Sequence, residues 1–399
     1  MNVLQLNTTV NSGSTGRIAE DIGNVLMHHG HHSYIAYAKG NLPSSSSLIR
    51  VGNKCDRRLH GLKSRLFDGH SLGSQKATEI LVEKIKILKP DIIQLHNIHG
   101  YYLHIGSLFN FLSDADIPVV WTLHDCWPFT GHCSYFDRYE CDKWKTECHH
   151  CPNIHGYPKS WFLDNSTSNY RLKKRLFNSV KNMTIITPSN WLASYVKQSF
   201  LKEYDIRVIN NGVDLDVFTP LTEDIDTRYN LKERFVLGVA SVWDRRKGLN
   251  DFIRLREKLD ASINILLVGL SQQQIDALPK GIIGLRRTEN VAELSALYSA
   301  ATAFINPTYI DNFPTTNLEA LACGTPVITY NTGGSPEAVE TEVGMVVEKG
   351  DIKALVNAIS MIVKQEQSYS INSRARAEKL YDKNYRLYDY LKLYENLLF

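Results

Sequence analysis

The sequence predicts an α/β fold made of two doubly wound parallel sheets. Short aliphatic runs alternate with longer helical patterns along the whole chain, which is typical of parallel strands joined by crossover helices. The length of 399 residues exceeds what one hydrophobic core usually organises. A turn at residues 210–214, Asn-Asn-Gly-Val-Asp, interrupts the alternation. We therefore predict an N-terminal domain of residues 1–213 and a second domain of residues 214–374.

The predicted strands of the first domain are short apolar runs separated by helical segments. They are Asn2–Leu6, Ser33–Ala38, Asp91–Leu95, Pro118–Leu123, Thr184–Thr187 and Arg207–Ile209. The second half restarts the same pattern, so its strands belong to a separate sheet. They are Phe235–Ala240, Asn264–Val268, Gly281–Gly284, Ala303–Ile305 and Val327–Thr329.

Three further segments complete the predicted organisation. Ser44–Ser47 is a low-complexity patch and is expected to be a surface loop. Residues 126–160 are rich in cysteine and form an expected insertion in the first domain. Residues 375–399 place tyrosines and leucines at mostly helical spacing, so we expect a C-terminal helix that packs back on the N-terminal domain.

Composition excludes several classes of function. The 45 Lys and Arg residues nearly balance 42 Asp and Glu residues, which argues against nucleic-acid binding by bulk charge. Residues Met1–Asn7 lack a basic lead and predict a strand rather than a secretory signal. Apolar runs fall short of the roughly 20 residues that a membrane-spanning helix needs. We expect a cytoplasmic protein whose membrane contact, if any, is peripheral on the cytoplasmic face of the inner membrane.

Ligands of open α/β sheets bind beyond the carboxyl ends of the strands, so loops at those ends are the candidate sites. In the first domain, Asn11–Arg17 includes Gly16 and opens a helix whose amides would suit an anion or a hydroxyl group. A plain strand-to-helix turn is an equally good interpretation. Residues Trp121–Asp125 deliver His124 to the sheet edge, where it would donate to a sugar hydroxyl or serve as a structural histidine. The same alternatives apply to His96 and His99.

Cations follow the first strand of the second domain. Arg245, Arg246 and Lys247 precede Gly248 and a predicted helix. Arg binds phosphate in a bidentate manner and Lys acts as a point charge, so this turn would hold a diphosphate. A solvated basic turn is the alternative.

The segment Asp311–Glu319 runs from a loop into a helix. Pro314 suits the first helical turn, and the amides that follow would face a phosphate. Glu319 is placed to accept hydrogen bonds from ribose hydroxyls, unless it is an unrelated helix carboxylate. Residues Asn331–Glu337 contain Gly333 and Gly334, where the backbone would approach a ligand or form a tight turn.

Taken in order, these motifs resemble glycosyltransferase family 4. The set is Arg246-Lys247-Gly248, Asp311 to Glu319, Ala320-Leu321-Ala322-Cys323-Gly324-Thr325-Pro326-Val327 and Gly333-Gly334-Ser335-Pro336-Glu337. The resemblance implies the GT-B architecture, two Rossmann-like domains that face each other across a cleft. It also implies retaining sugar transfer from a nucleotide sugar without a catalytic metal or other cofactor.

The first half is similar to bacterial polysaccharide transferases of the colanic-acid, capsule and O-antigen type, through Trp121 to Gly131 and the cysteines that follow. By resemblance, the catalytic residues would be Asp311, His124 and Lys247. The donor-binding residues would be Glu319, Arg245, Arg246, Phe313, Pro314, Thr315, Thr316, Asn317 and Gly16. Asp311 stands where the family usually has Glu, and Ala240-Ser241-Val242 replaces the usual Gly-Arg-Leu.

The implied reaction adds a sugar to a growing, lipid-linked saccharide of the bacterial surface. The partners would be a nucleotide sugar and that saccharide, with no nucleic acid. A sugar-nucleotide epimerase of the same architecture and a carbohydrate-binding scaffold without transferase activity are the alternatives.

Four of the seven cysteines fall in one short stretch: Cys133, Cys141, Cys148 and Cys151. The two-residue spacing of Cys148 and Cys151 is typical of zinc knuckles, so we expect structural zinc. Free thiols, and redox or disulfide chemistry, are the alternatives. The basic segment Arg171–Phe177 is expected to be a helix. It would present a solvated face or would dock on anionic lipid.

Overall fold

The computed structural model describes residues 1–40, 42–221, 229 and 234–398, except for the side chain of Arg138. The chain divides into two compact units. The first unit comprises Met1–Ile209 and Leu387–Phe399, and the second comprises Asn210–Arg386.

The first unit is built on a seven-stranded sheet with helices on both faces. Its strands are β1 (Asn2–Thr9), β2 (His32–Lys39), β3 (Ser47–Arg50), β4 (Ile92–Leu95), β5 (Val119–Thr122), β6 (Met183–Thr187) and β7 (Asp205–Val208). Its helices are α1 (Gly13–His28), α2 (Lys54–Phe67), α3 (Gln75–Leu88), α4 (Ile105–Asp114), α5 (Ser166–Phe177) and α6 (Asn190–Val196). The strand order is β3-β2-β1-β4-β5-β6-β7, with every pairing parallel.

The second unit repeats the design with six strands. They are β8 (Arg234–Val239), β9 (Ile263–Val268), β10 (Ile282–Leu285), β11 (Ala303–Asn306), β12 (Val327–Tyr330) and β13 (Gly344–Val347). Its helices are α7 (Leu249–Lys258), α8 (Gln272–Asp276), α9 (Val291–Ala300), α10 (Thr315–Ala322), α11 (Ile352–Lys364) and α12 (Glu366–Leu380). The order is β10-β9-β8-β11-β12-β13, again all parallel. Both sheets therefore reverse their winding beside the first strand, which is where doubly wound sheets bind ligands.

The two predicted sheets are confirmed, but an edge strand of each was missed. The strand β3 has mostly exposed side chains, so it lacks the alternation that marks a half-buried strand. Its first residue, Ser47, was assigned to the predicted surface loop. The strand β13 begins at Gly344 and pairs with β12 at the edge of the sheet, and its run Gly-Met-Val-Val supports a strand prediction.

The domain boundaries differ from those predicted. Val213 N donates to Tyr381 O at 2.8 Å, and Lys383 N donates to Val213 O at 2.9 Å. An ion pair of 2.6 Å joins Lys383 to Asp214. These contacts tie the connecting turn to residues near 382, so the division falls after Ile209 and again after Arg386. Position 375, the predicted start of the terminal helix, instead lies within α12.

The terminal helix α13 (Lys383–Leu398) packs on the first sheet through residues beyond the division. Leu387 and Leu391 join a core cluster with Val3, Ile92 and Val120. Tyr394 OH donates to Gln94 Oε1 at 3.0 Å, and Tyr390 OH lies 3.2 Å from Thr122 Oγ1. Within the described ranges, no helix combines the length and apolar character needed to cross a bilayer.

We predict that Tyr394→Phe destabilises the protein by about 1–2 kcal/mol, because it leaves the buried Gln94 oxygen without its donor. Urea unfolding followed by circular dichroism measures this change. The matched control is Tyr385→Phe on the same helix, whose parent residue is 60% exposed and whose variant should be unchanged. An equal effect of the two substitutions would contradict the assignment.

Candidate functional site

A basic turn follows β8 in the second unit. Residues Arg245–Lys247 form a single 3-10 turn that Asp244 caps, since its carboxylate accepts from Arg246 N at 2.9 Å. Gly248 ends the turn with a φ of +73°, and a Cβ there would lie 2.3 Å from the carbonyl oxygen of Pro307. Only glycine allows this approach, which brings Lys247 against the loop after β11.

The ion pair between Lys247 and Asp311 joins two of the predicted catalytic residues. Lys247 Nζ lies 2.5 Å from Asp311 Oδ2, and the two side chains are 24% and 22% exposed. Arg246 instead pairs with Asp244 at 3.0 Å, and Arg245 is exposed. Lys247 is therefore the cation that the fold positions most firmly at this edge.

The glycine motif after β12 contacts the backbone of Asp311. Gly334 N donates to Asp311 O at 3.2 Å. Gly333 has a φ of +58°, and a Cβ there would lie 1.8 Å from the same carbonyl oxygen. This pair of glycines therefore fixes the backbone of Asp311, whereas the sequence also allowed them a direct role in ligand binding.

Helix α10 begins at the same edge and holds Glu319 in its second turn. Pro314 stands at the N-cap position, and the half-buried Thr315 and Thr316 occupy the first turn, where backbone N–H groups have no intrahelical partner. Tyr298 OH donates to Glu319 Oε2 at 3.1 Å. Burial, followed by the Glu319 charge, raises the pKa of Tyr298 well above its usual value. The phenol therefore stays protonated and orients the carboxylate.

Two predicted donor-binding residues face the core instead. Asn317 is fully buried; it accepts from Asn306 Nδ2 at 2.8 Å and donates to Ser335 Oγ at 3.0 Å. The ring of Phe313 is also buried and packs against Tyr381 at a centroid distance of 5.9 Å. The helical pattern did not show which positions point inward. These contacts stabilise the loop, and the donor-binding role of the two residues stays a prediction.

A cavity of about 530 Å³ lies at the same end of the second sheet and was missed from the sequence. Its lining comes from the residues after β8, β9 and β10: Ser241, Val242, Trp243, Gly269, Leu270, Ser271, Gln274, Arg286 and Arg287. This size is typical of small-molecule sites. Gly269, whose Cβ would lie 1.7 Å from Ala240 O, allows the close approach of the loops. Its position agrees with the binding of ligands beyond the carboxyl ends of parallel strands, here β8, β9 and β10.

In the first unit, the predicted His124 lies beside His96 at the end of β5. Their rings are nearly parallel with centroids 5.5 Å apart, and His96 Nδ1 lies 3.2 Å from His124 Nε2. Burial lowers the pKa of His124 to about 4, more strongly than the Asp125 charge raises it. Burial, followed by His124, also lowers the pKa of His96 well below its usual value. Both imidazoles are therefore neutral near pH 7.

Asp125 and Gly16 have structural contacts in the first unit. The Asp125 carboxylate lies 3.0 Å from His99 Nε2 and accepts from Trp127 N at 2.9 Å. Burial alone would raise the pKa of Asp125, but these contacts outweigh burial and lower the pKa. Gly16 lies in the first turn of α1, where a Cβ would come within 2.8 Å of Thr9 Oγ1. Its role in this structure is close packing of α1 on the end of β1.

The four clustered cysteines line one small cavity of about 20 Å³. All seven cysteines of the chain are free thiols. A hydrogen bond from Cys133 lowers the pKa of Cys151 to about 7. In the part of the chain that is described, no group of three or more His, Cys, Asp or Glu side chains is arranged to hold a metal ion. Zinc therefore stays a prediction.

The basic segment Arg171–Phe177 lies within α5 but does not present a uniformly basic face. Lys173 is buried, donates to Trp127 O at 2.8 Å and lies 3.5 Å from the centre of the Trp127 ring. Burial lowers its pKa to about 7. Arg171 pairs with Glu147. This segment therefore offers fewer outward charges than the sequence indicates.

Two family models match the chain. The model described as "Glycosyltransferase Family 4" matches residues 15–217, which is half of the chain. The model described as "Glycosyl transferases group 1" matches residues 233–365.

Two curated relatives are glycosyltransferases. The putative colanic acid biosynthesis glycosyl transferase WcaC of Escherichia coli K12 is 25% identical over the full length of both chains. The N,N'-diacetylbacillosaminyl-diphospho-undecaprenol alpha-1,3-N-acetylgalactosaminyltransferase of Campylobacter jejuni is 26% identical over 57% of this chain and 63% of its own.

Among solved structures, Anabaena Alr3699/HepE in complex with UDP superposes with a TM-score of 0.70 at 18% identity. The superposition covers 99% of this chain and 100% of the Anabaena chain. The predicted fold class, GT-B with two Rossmann-like parallel-sheet domains, is confirmed.

We predict that His124 titrates near pH 4, because burial opposes its charged form. Its pKa is lowered on folding, so the folded state binds fewer protons than the unfolded state. Its contribution to stability is therefore complete above pH 6.5 and declines as the pH falls from 6.5 toward 4. NMR titration of the imidazole, assigned with His124→Asn, measures the midpoint. A midpoint at 6.5 or higher would contradict this prediction.

Proposed function

This chain belongs to glycosyltransferase family 4 and is a glycosyltransferase of polysaccharide biosynthesis; we propose that it is a retaining enzyme with a nucleotide-sugar donor and a lipid-linked saccharide acceptor. The observation that carries the donor proposal is the Lys247–Asp311 ion pair, which lies at the sheet edge where the helix of Glu319 begins. The acceptor proposal draws on the Campylobacter jejuni relative, whose name specifies a diphospho-undecaprenol saccharide.

The second unit supplies groups for each part of a nucleotide sugar. The cavity of about 530 Å³ has the volume for a nucleobase. Glu319, oriented by Tyr298, accepts from the ribose hydroxyls, and Lys247 meets the diphosphate. Uridine diphosphate is the first nucleotide to test, because the structurally similar Anabaena protein binds UDP.

In the proposed chemistry, the bond between the anomeric carbon and the diphosphate oxygen breaks while the acceptor hydroxyl bonds to that carbon from the same face of the sugar. The proton of the acceptor hydroxyl passes to the leaving diphosphate. Lys247, the neighbouring arginines and the amides that begin α10 stabilise the negative charge of the leaving diphosphate. These groups provide positive charge, so no catalytic metal is required. Asp311 orients Lys247 through their 2.5 Å contact and accepts from a donor-sugar hydroxyl. His124, neutral at pH 7, bonds a hydroxyl of the transferred sugar.

Glu319→Ala is expected to lower transfer roughly a hundredfold, from the loss of two charged hydrogen bonds at about 1.5 kcal/mol each. Tyr298→Phe should have a smaller effect in the same direction, since it releases the carboxylate without removing it. Nucleotide release from UDP-, GDP- and ADP-sugars, with and without a saccharide acceptor, is the measurement.

The matched control is Glu257→Ala, which removes an exposed carboxylate on α7 and should leave transfer unchanged. A folded Glu319→Ala variant with full activity would contradict the assignment of Glu319 to the donor ribose. An epimerase would convert the donor without an acceptor, and a scaffold would release no nucleotide from any donor.

We also propose that the cysteine cavity binds structural zinc. Four thiols line it, and so does the buried His132. Nδ1 of this histidine lies 2.5 Å from Asp68, while its buried Nε2 has no hydrogen-bond partner among the described residues. Carboxylate-bound histidines of this kind are common metal ligands. The side chains would have to rotate to form a ligand set, and the metal would stabilise the insertion without taking part in catalysis.

Protein purified without a metal-affinity column should contain stoichiometric zinc by plasma mass spectrometry. Cys148→Ser should lose the metal and unfold at a lower temperature, because thiolate ligands hold zinc most firmly. Cys55→Ser, at an exposed thiol outside the cluster, should retain it. Zinc-free wild-type protein with unchanged stability would refute the proposal.

A further inference from the structure

Helix α2 turns an apolar stripe toward solvent. Leu59, Leu62 and Leu66 follow one another at helical spacing, with Leu59 67% exposed and Leu62 46% exposed. Phe67 at the end of the helix is also exposed. Amphipathic helices of soluble proteins usually bury this face, so the stripe indicates a partner.

The loop after the cysteine insertion extends this apolar surface. Trp161, Phe162 and Leu163 are consecutive and exposed, and Phe162 reaches 75%. Trp161 N donates to Arg65 O at 2.7 Å, and Asn165 Nδ2 donates to Phe67 O at 2.7 Å. These bonds attach the loop to the last turn of α2. We call the exposed apolar residues of α2 and this loop, together with the half-buried Leu66, the α2 surface: Leu59, Leu62, Leu66, Phe67, Trp161, Phe162 and Leu163.

Cations flank the α2 surface and line a further cavity in the first unit. Helix α2 contains five basic residues and one acidic residue, Asp56, whose carboxylate caps the helix by accepting from Asn53 N at 2.8 Å. The cavity, of about 510 Å³, is lined by Lys54, Arg57, Arg58, Gly61, Arg65 and Tyr101. Arg65 lies over the Tyr101 ring at 5.5 Å. Among the residues that the structure describes, no acidic side chain lines this space, so it favours an anion.

We propose that the α2 surface docks on an anionic phospholipid bilayer, with a lipid phosphate in the basic cavity and Trp161 and Phe162 among the headgroups. Exposed aromatic residues beside cations are the pattern that binds such interfaces. The proposal deepens the proposed function and rests on it for its purpose, because a lipid-linked acceptor is confined to the membrane. It also replaces the basic segment of α5, whose Lys173 is buried, as the docking surface.

Flotation with vesicles of phosphatidylcholine and phosphatidylglycerol in equal parts tests the proposal on the full chain. Wild-type protein should float with them at low salt, bind less at high salt, and remain unbound to pure phosphatidylcholine. Arg58→Gln and Lys63→Gln should each weaken binding roughly fivefold, the effect of about 1 kcal/mol per surface charge. The double variant W161S/F162S should weaken it roughly tenfold.

Matched controls lie elsewhere on the first unit. Ile87→Ser removes an apolar residue that is 82% exposed on α3, and the double variant K174Q/R175Q removes two exposed charges on α5. Both should bind vesicles as wild type does. Equal losses in these controls, no vesicle binding at all, or self-association blocked by W161S/F162S would overturn the docking surface.

A water-soluble acceptor separates this proposal from the proposed function. The W161S/F162S variant should retain nucleotide release with that acceptor while losing vesicle binding. Glu319→Ala should show the opposite result, with vesicle binding intact and transfer lost. Loss of both properties in W161S/F162S, despite an unchanged thermal unfolding temperature, would overturn the assignment of these residues to docking alone.

Discussion

The contact between the Gly333 backbone and the Asp311 carbonyl is the constraint on which the candidate donor site depends. A Cβ at residue 333 would lie 1.8 Å from that oxygen, so the loops after β11 and β12 meet only because a glycine stands there. Asp311, fixed in this way, holds Lys247 at 2.5 Å. The close approach of Gly248 to Pro307 brings the loop after β8 against the loop after β11. The charges are thus positioned by backbone packing.

Burial keeps two histidines of the first unit neutral at its own sheet edge. His96 and His124 stack in a desolvated environment that disfavours the imidazolium form. A neutral imidazole donates from one nitrogen and accepts at the other, which suits hydroxyl groups of a sugar better than a phosphate. The two units therefore offer different chemistry: neutral imidazoles at His96 and His124 in the first, and a cation at Lys247 in the second.

Much of the fold follows from local pattern, because a buried parallel strand needs a continuous apolar run. Runs such as Ile263–Val268 were recognisable for this reason. The edge strand β3 was not, since its side chains are mostly exposed. The division near residue 387 was missed because it depends on contacts between Val213 and Tyr381, which are far apart in the sequence.

The sequence by itself determined the fold class, the family, the place of Lys247 and Asp311 in loops after strands, and the place of Glu319 in a helix, because motif order and periodicity are local properties. Only the tertiary structure decided which side chains turn inward. Asn317 and Lys173 are polar in the sequence yet buried in the fold, whereas Phe162 is apolar yet 75% exposed. Burial depends on neighbours brought together from distant parts of the chain, and residue type alone does not specify them.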